Sequence, residues 1–161
     1  MELQLFELGT MVIDKVTKTK GMLTMFEIDM SSNQLYLFQP SMLNPETQQP
    51  VETLWIDEKR IQGGRKKTMK LPMEVLGTLV EDKATTFKGT AVNLLLHLNG
   101  CIHVVVKPEG KIKKTNESIA SNNFDLRRLK GNAIRELSKK ELEKSKKKEP
   151  GPERYVPHHK N

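Results

Sequence analysis

Residues 8–21 read LGTMVIDKVTKTKG, and residues 76–89 read LGTLVEDKATTFKG. Nine of these fourteen positions are identical at an offset of 68. Extended outward without a gap, residues 1–61 match residues 69–129 at 15 of 61 positions. The matches include Met1 with Met69, Pro40 with Pro108, Asp57 with Asp125 and Arg60 with Arg128. This period exceeds the roughly 20–50 residues of a solenoid unit, so the chain reads as two copies of one small domain. Copy one spans residues 1–61 and copy two 69–129, joined by a linker at 62–68 that carries Gly63-Gly64 and a charge cluster.

Within each copy the pattern is that of short strands. Phe26, Ile28 and Met30 alternate with Glu27 and Asp29, the period of a half-buried strand. Asn99-Gly100, between two apolar runs, predicts a two-residue hairpin turn, and Ser31-Ser32 marks a looser turn in copy one. Gly9 and Gly77 open one strand, and Gly21 and Gly89 begin the next. The expected fold is mainly β: two tandem small antiparallel barrels or rolls, SH3-like, followed by a C-terminal basic helix and an extended tail.

The predicted turn assigns faces. It places Leu95, His97, Ile102, Val104 and Val106 on one side of the copy-two hairpin, and Leu94, Leu96, Leu98, Cys101, His103 and Val105 on the other. Both sides are mainly apolar. The equivalent second face of copy one, Met25, Glu27, Asp29, Gln34, Tyr36 and Phe38, is solvent-compatible. Copy two therefore has a surplus apolar face, expected to form an interface between the copies, in an oligomer or with a partner.

Charge divides the chain. Lys+Arg number 27 against 20 Asp+Glu, a formal net charge of +7. Residues 1–64 carry a net −4, residues 65–125 a net +4, and residues 126–161 a net +7, so the whole excess belongs to the C-terminal segment. That segment is expected as a basic helix over 130–148, with Ser138-x-x-Glu141 matching a capping box, and an extended tail over 149–161. Its candidate contacts are Arg127, Arg128, Lys130, Arg135, Lys139, Lys140, Lys144, Lys146, Lys147 and Lys148. The segment is a solvated extension or a dock for an acidic partner or nucleic acid. Few aromatics, 5% of residues, leave few platforms for stacking single strands.

Function classes narrow further. No apolar run approaches the roughly 20 residues of a membrane span. Glu2, Glu7 and the lack of a basic leader argue against a secretory signal. The single cysteine, Cys101, excludes an internal disulfide. Asp14, Thr17 and Gly21, with their counterparts Asp82, Thr85 and Gly89, read as a structural turn: Asp and Thr side chains bond backbone amides and Gly supplies an unusual φ on exit. Asn99 and Gly100 join them as turn residues. His97, Cys101 and His103 hint at a metal cluster, but the predicted register sets His97 opposite the other two, and two ligands do not close a zinc site. Gly63-Gly64-Arg65-Lys66-Lys67 lacks the spacing of a phosphate-binding loop. No nucleophile–base pair is evident, so neither catalysis, a cofactor nor a metal is expected.

The order Gly-x-x-Val-x-Asp-x-x-Thr-x-x-x-Gly, then Leu-x-Gly-Cys, a Pro after the second strand and Trp-x-Asp-Glu resembles a family of small phage-encoded proteins. Copy two carries Gly77, Val80, Asp82, Thr85, Gly89, Leu98, Gly100, Cys101 and Pro108 of it; copy one carries Gly9, Val12, Asp14, Thr17, Gly21, Pro40, Trp55, Asp57 and Glu58. The resemblance implies a phage origin. Together with the surplus apolar face, it leads to the expectation of a non-enzymatic structural or assembly protein of the virion, head- or tail-associated. Expected partners are other virion or phage proteins or further copies of itself, in the virion or the host cytoplasm, without a membrane. The alternative is a nucleic-acid-binding or host-takeover module acting through the basic tail.

Overall fold

Lys20–Asp29, the long strand β3, buries Gly21, Leu23, Phe26 and Ile28 and leaves most residues between them half-buried. The computed structural model describes residues 1–134. Copy one adds β1 (Glu2–Phe6), β2 (Met11–Asp14), β4 (Gln34–Pro40), β5 (Leu54–Asp57) and β6 (Ile61–Gln62), with a 3-10 turn at Glu58–Arg60. Then come β7 (Lys66–Lys70) and a 3-10 turn at Met73–Val75. Copy two follows as β8 (Leu79–Asp82), β9 (Lys88–His97), β10 (Ile102–Lys107), β11 (Asn122–Asp125), a 3-10 turn at Leu126–Arg128, and β12 (Leu129–Lys130). The β class holds, and the internal repeat is visible as geometry. The antiparallel sheets do not close into barrels.

Strands in each copy lie in the order β6-β2-β3-β4-β5 and β12-β8-β9-β10-β11. One edge of β3 has two partners. Residues 20–22 pair with β2, and residues 25–29 pair with β9 of the other copy. The β3–β4 register shifts at Thr24, and the β9–β10 register shifts at the equivalent Val92; each bulge re-aims the strand between its two neighbours.

The join between the copies obeys a two-fold rule. Glu27 lies opposite Leu95, its own counterpart in the repeat, and Met25 opposite His97, the counterpart of Asp29. β1 pairs antiparallel with β7, and there Glu2 lies opposite Lys70, again its own counterpart. Both pairings therefore sit on one pseudo-dyad, the self-complementary arrangement of a symmetric dimer, here within one chain. Residues 66–68, expected as linker, are strand. Lys130, expected to start a helix, pairs in β12 with β8; residues 135–148 of that helix and the tail at 149–161 lie outside the described residues.

Both copies feed one core. Leu5, Leu23, Phe26, Ile28, Tyr36, Phe38 and Ile56 from copy one join Leu71, Leu94, Leu96, Val104, Val106 and Phe124 from copy two. A unit of about 60 residues is marginal alone, and sharing a core answers that weakness. Phe6 donates its N–H to Tyr36 Oη at 3.1 Å, and burial lifts the Tyr36 phenol to about 12. No helix among the described residues is long and apolar enough to cross a membrane.

The hairpins correct the predicted faces. In copy two the loop holds three residues, 98–100: His97 N–H donates to the Cys101 carbonyl at 2.9 Å, and only Gly100 takes a positive φ, 84°. A two-residue type I′ turn would need Asn99 there too; its side chain instead accepts the Cys101 N–H at 3.0 Å. Copy one matches, with Asp29 Oδ1 accepting from Ser31 and Asn33 N–H and Ser32 at φ 64°. One extra loop residue shifts the register and swaps sides. Hence Ile102, Val104 and Val106 point into the core with Leu94 and Leu96, while Leu95 and His97 point outward. Tyr36 and Phe38, expected toward solvent, are buried opposite Phe26 and Leu23.

Candidate functional site

The duplicated turn is a buried electrostatic lock. Asp14 ends β2 with no solvent exposure and accepts N–H groups from Val16 and Thr17, each at 3.2 Å, and the Thr17 hydroxyl at 2.7 Å. Arg60, at the end of the 3-10 turn, forks onto it with Nε at 2.9 Å and Nη2 at 2.6 Å. Copy two repeats this: Asp82 accepts from Thr85 N–H at 2.9 Å and its hydroxyl at 2.5 Å, and from Arg128 Nε at 3.0 Å and Nη2 at 2.8 Å. Arg60 above all holds the Asp14 carboxyl well below the carboxylate range, and Arg128 does the same for Asp82, at about 2. With both oxygens engaged, neither carboxylate has the role of a base.

The lock sets an acid response. Each folded pKa is depressed, so the stability it confers is whole above the ordinary 3.8 and drains as pH falls toward about 2. We expect the urea midpoint to drop over that window, and less steeply in Asp82→Asn. An equal slope in the variant would remove Asp82 from the acid response.

Several residues that the repeat or the expected contacts single out find structural work. Asp57 and Asp125 cap the 3-10 turns, accepting N–H from Arg60 at 3.2 Å and Arg127 at 2.8 Å. Of the residues assigned to the tail, Arg128 belongs to the lock, Arg127 pairs with Asp125 at 3.2 Å and Lys130 with Glu81 at 3.0 Å. All three thus belong to copy two. Arg135, Lys139, Lys140, Lys144, Lys146, Lys147 and Lys148 lie outside the described residues. Gly21 and Gly89 do not take an unusual φ. A Cβ on Gly21 would lie 2.5 Å from Phe38 Cζ and closer still to the Gln39 carbonyl oxygen, so close backbone approach demands glycine. The left-handed φ falls instead on Lys18 and Thr86, at 60° and 61°.

The outer face of the joined sheet is the surface these elements build. Opposed residues share a face, so Asp57, Leu35, Glu27, Leu95, His103 and Asp125 form a continuous row from β5 to β11 across the pseudo-dyad. Trp55, Leu37, Met25 and His97 form the adjacent row. Trp55 is 40% exposed. Leu35, Leu37 and Met25 are half-buried, and Leu95 is buried among its neighbours. The apolar surface is thus not a property of copy two: copy one supplies most of it. Glu27 is held on this face by Asn93 Nδ2.

The longer loop also puts His97 and His103 on the same face, their rings 4.4 Å apart. Burial first, and then His103, keeps the His97 pKa below 6.5, and its Nε2 is buried without a hydrogen-bond partner. The Cys101 thiol faces the Arg127 guanidinium at 3.9 Å. Among the described residues no group of three or more His, Cys, Asp or Glu is arranged to hold a metal.

What sequence reasoning missed is the Asp–Arg pairing, although its signal was present: Asp14/Asp82 and Arg60/Arg128 repeat together, with opposite charges and equal separation. The outer rows were missed because they depend on one loop residue. Comparison of the chain with protein-family models, curated proteins and solved structures finds no match.

Proposed function

We propose that this is a non-enzymatic assembly protein of a phage particle that binds protein partners, or further copies of itself, through the outer face of the joined sheet. The observation that supports this most is the row Trp55–Leu37–Met25, which leaves an indole 40% exposed beside half-buried aliphatic side chains on a six-strand surface. Aromatic anchors on such surfaces carry much of the energy of protein interfaces. The phage origin rests on the motif resemblance given above. The strand order, with a 3-10 turn before a short closing strand, favours reading each copy as an SH3-like unit opened where β3 and β9 meet.

Mass spectrometry of purified particles tests the assignment. The protein should be present, and Trp55→Ala with Leu37→Ala should remove it from particles while leaving Tm nearly unchanged, because both side chains lie outside the core. Absence of the wild-type protein from particles would end the virion reading.

A further inference from the structure

Two loops of the same build occupy equivalent places in the copies, and only one is cationic. Residues 41–53 of copy one and 108–121 of copy two each carry an isolated bridge, Leu43–Pro50 and Lys111–Ser118. Each turn closes alike: Asn44 N–H to the Gln49 carbonyl at 2.8 Å, and Ile112 N–H to the Glu117 carbonyl at 2.8 Å. Each sets one non-glycine residue in the left-handed region, Gln48 at φ 56° and Asn116 at φ 58°. The frame is conserved between the copies, so the differences in side chains are not forced by the backbone.

In copy two all of residues 111–118 are exposed. Copy one reads LNPETQQP over 43–50, with one charge; copy two reads KIKKTNES over 111–118, with Lys107 just before it. Asn44 Oδ1 caps its turn by accepting Glu46 and Thr47 N–H at 2.9 and 3.2 Å. Ile112 stands in that position in copy two, where it can cap nothing and is 43% exposed between lysines. Elsewhere many cations are paired, as Arg60, Arg65, Lys66, Lys88, Arg128 and Lys130 are. Lys107, Lys111, Lys113 and Lys114 are exposed and form no ion pair among the described residues, and Glu109 and Glu117 only partly offset their charge.

We infer that residues 107–118 form a duplex nucleic-acid contact, with Lys107, Lys111, Lys113 and Lys114 on the phosphate backbone and Ile112 laid into the groove. The four lysines supply point charges clustered on one exposed loop, complementary to the closely spaced phosphates of a duplex backbone. An exposed isoleucine among those lysines matches the apolar wedges that proteins lay against base steps. With no aromatic in the loop, single strands have nothing there to stack on. The contact belongs to residues 107–118 of copy two and does not depend on the assembly role proposed above.

Fluorescence anisotropy of a labelled DNA duplex, titrated with the full chain between about 50 and 200 mM salt, tests it. The triple variant Lys111→Gln, Lys113→Gln, Lys114→Gln should weaken binding on the order of 100-fold at low salt and reduce the log–log salt slope by about 3. Unchanged affinity and slope in the variant, or no binding by the wild type, overturns the inference. Ile112→Asn restores the cap seen at Asn44, so it should weaken binding several-fold without lowering Tm; wild-type binding by this variant removes Ile112 from the groove. Poly-glutamate serves as the competing probe. If it binds as tightly as the duplex and is equally sensitive to the triple variant, the partner is an acidic protein and the inference fails.

Discussion

Asp14→Ala is expected to destabilise the chain by about 3–5 kcal/mol, the range for removing one partner of a buried ion pair. The Asp14 side chain is fully shielded, whereas that of Arg60 is 27% exposed. Alanine would leave the Arg60 guanidinium and the N–H groups of Val16 and Thr17 without their acceptor, and most of the cost lies in those stranded donors. The effect should extend to both copies, because Val12 beside Asp14 belongs to the core they share. Removing both partners, as Asp14→Leu with Arg60→Met, should recover the share due to the unpaired guanidinium, while the Val16 and Thr17 N–H groups stay without an acceptor. Asp82→Ala should cost less: the Arg128 side chain is 49% exposed and regains water when its partner goes. Urea unfolding of the four proteins checks this, and a loss below about 1 kcal/mol for Asp14→Ala would rank the lock with ordinary surface pairs.

Gly21→Ala should be comparably damaging, at about 3 kcal/mol or more, the upper range for forcing atoms into a packed core. The added carbon would meet the Phe38 ring at 2.5 Å and the Gln39 carbonyl oxygen at a shorter distance still. A ring can turn, but a ladder carbonyl cannot retreat without breaking the β3–β4 register that places Phe26 against Tyr36. Gly89→Ala should behave alike, with Lys107 C at 2.6 Å from the new carbon. Gly100→Ala is the informative contrast. It has a left-handed φ but open space around it, so only about 1 kcal/mol is expected. If Gly21→Ala melted like Gly100→Ala, close approach would not be the reason glycine stands there.

Legibility followed interaction range. The strands were readable because alternation is local, and the turn at Asp14 was readable because Asp, Thr and backbone lie within three residues of one another. Arg60 repeats as Arg128, but nothing local names its partner, because Asp14 lies 46 positions away in the chain. The faces of the hairpins failed on a single residue. Asn99-Gly100 is a strong turn signal, but the side chain of Asn99 was used as an acceptor, and the loop lengthened to three. That one position moved Ile102, Val104 and Val106 into the core and reunited His97 with His103.

By itself the sequence determined that two copies exist, that they are built of short strands, and which turn residues both copies share. These are properties of composition, periodicity and internal comparison, which require no knowledge of what touches what. Only the tertiary structure decided that the copies join through β3 and β9 on a pseudo-dyad, and that the apolar outer surface therefore belongs to both. Pairing between strands nearly 70 residues apart in the chain leaves no local signature: Met25, Glu27 and Asp29 alternate in the same way whether the edge beside them is solvent or another strand. The physical reason is that a strand's own pattern records which face is buried, while the occupant of its edge is set by backbone hydrogen bonds that every residue can make.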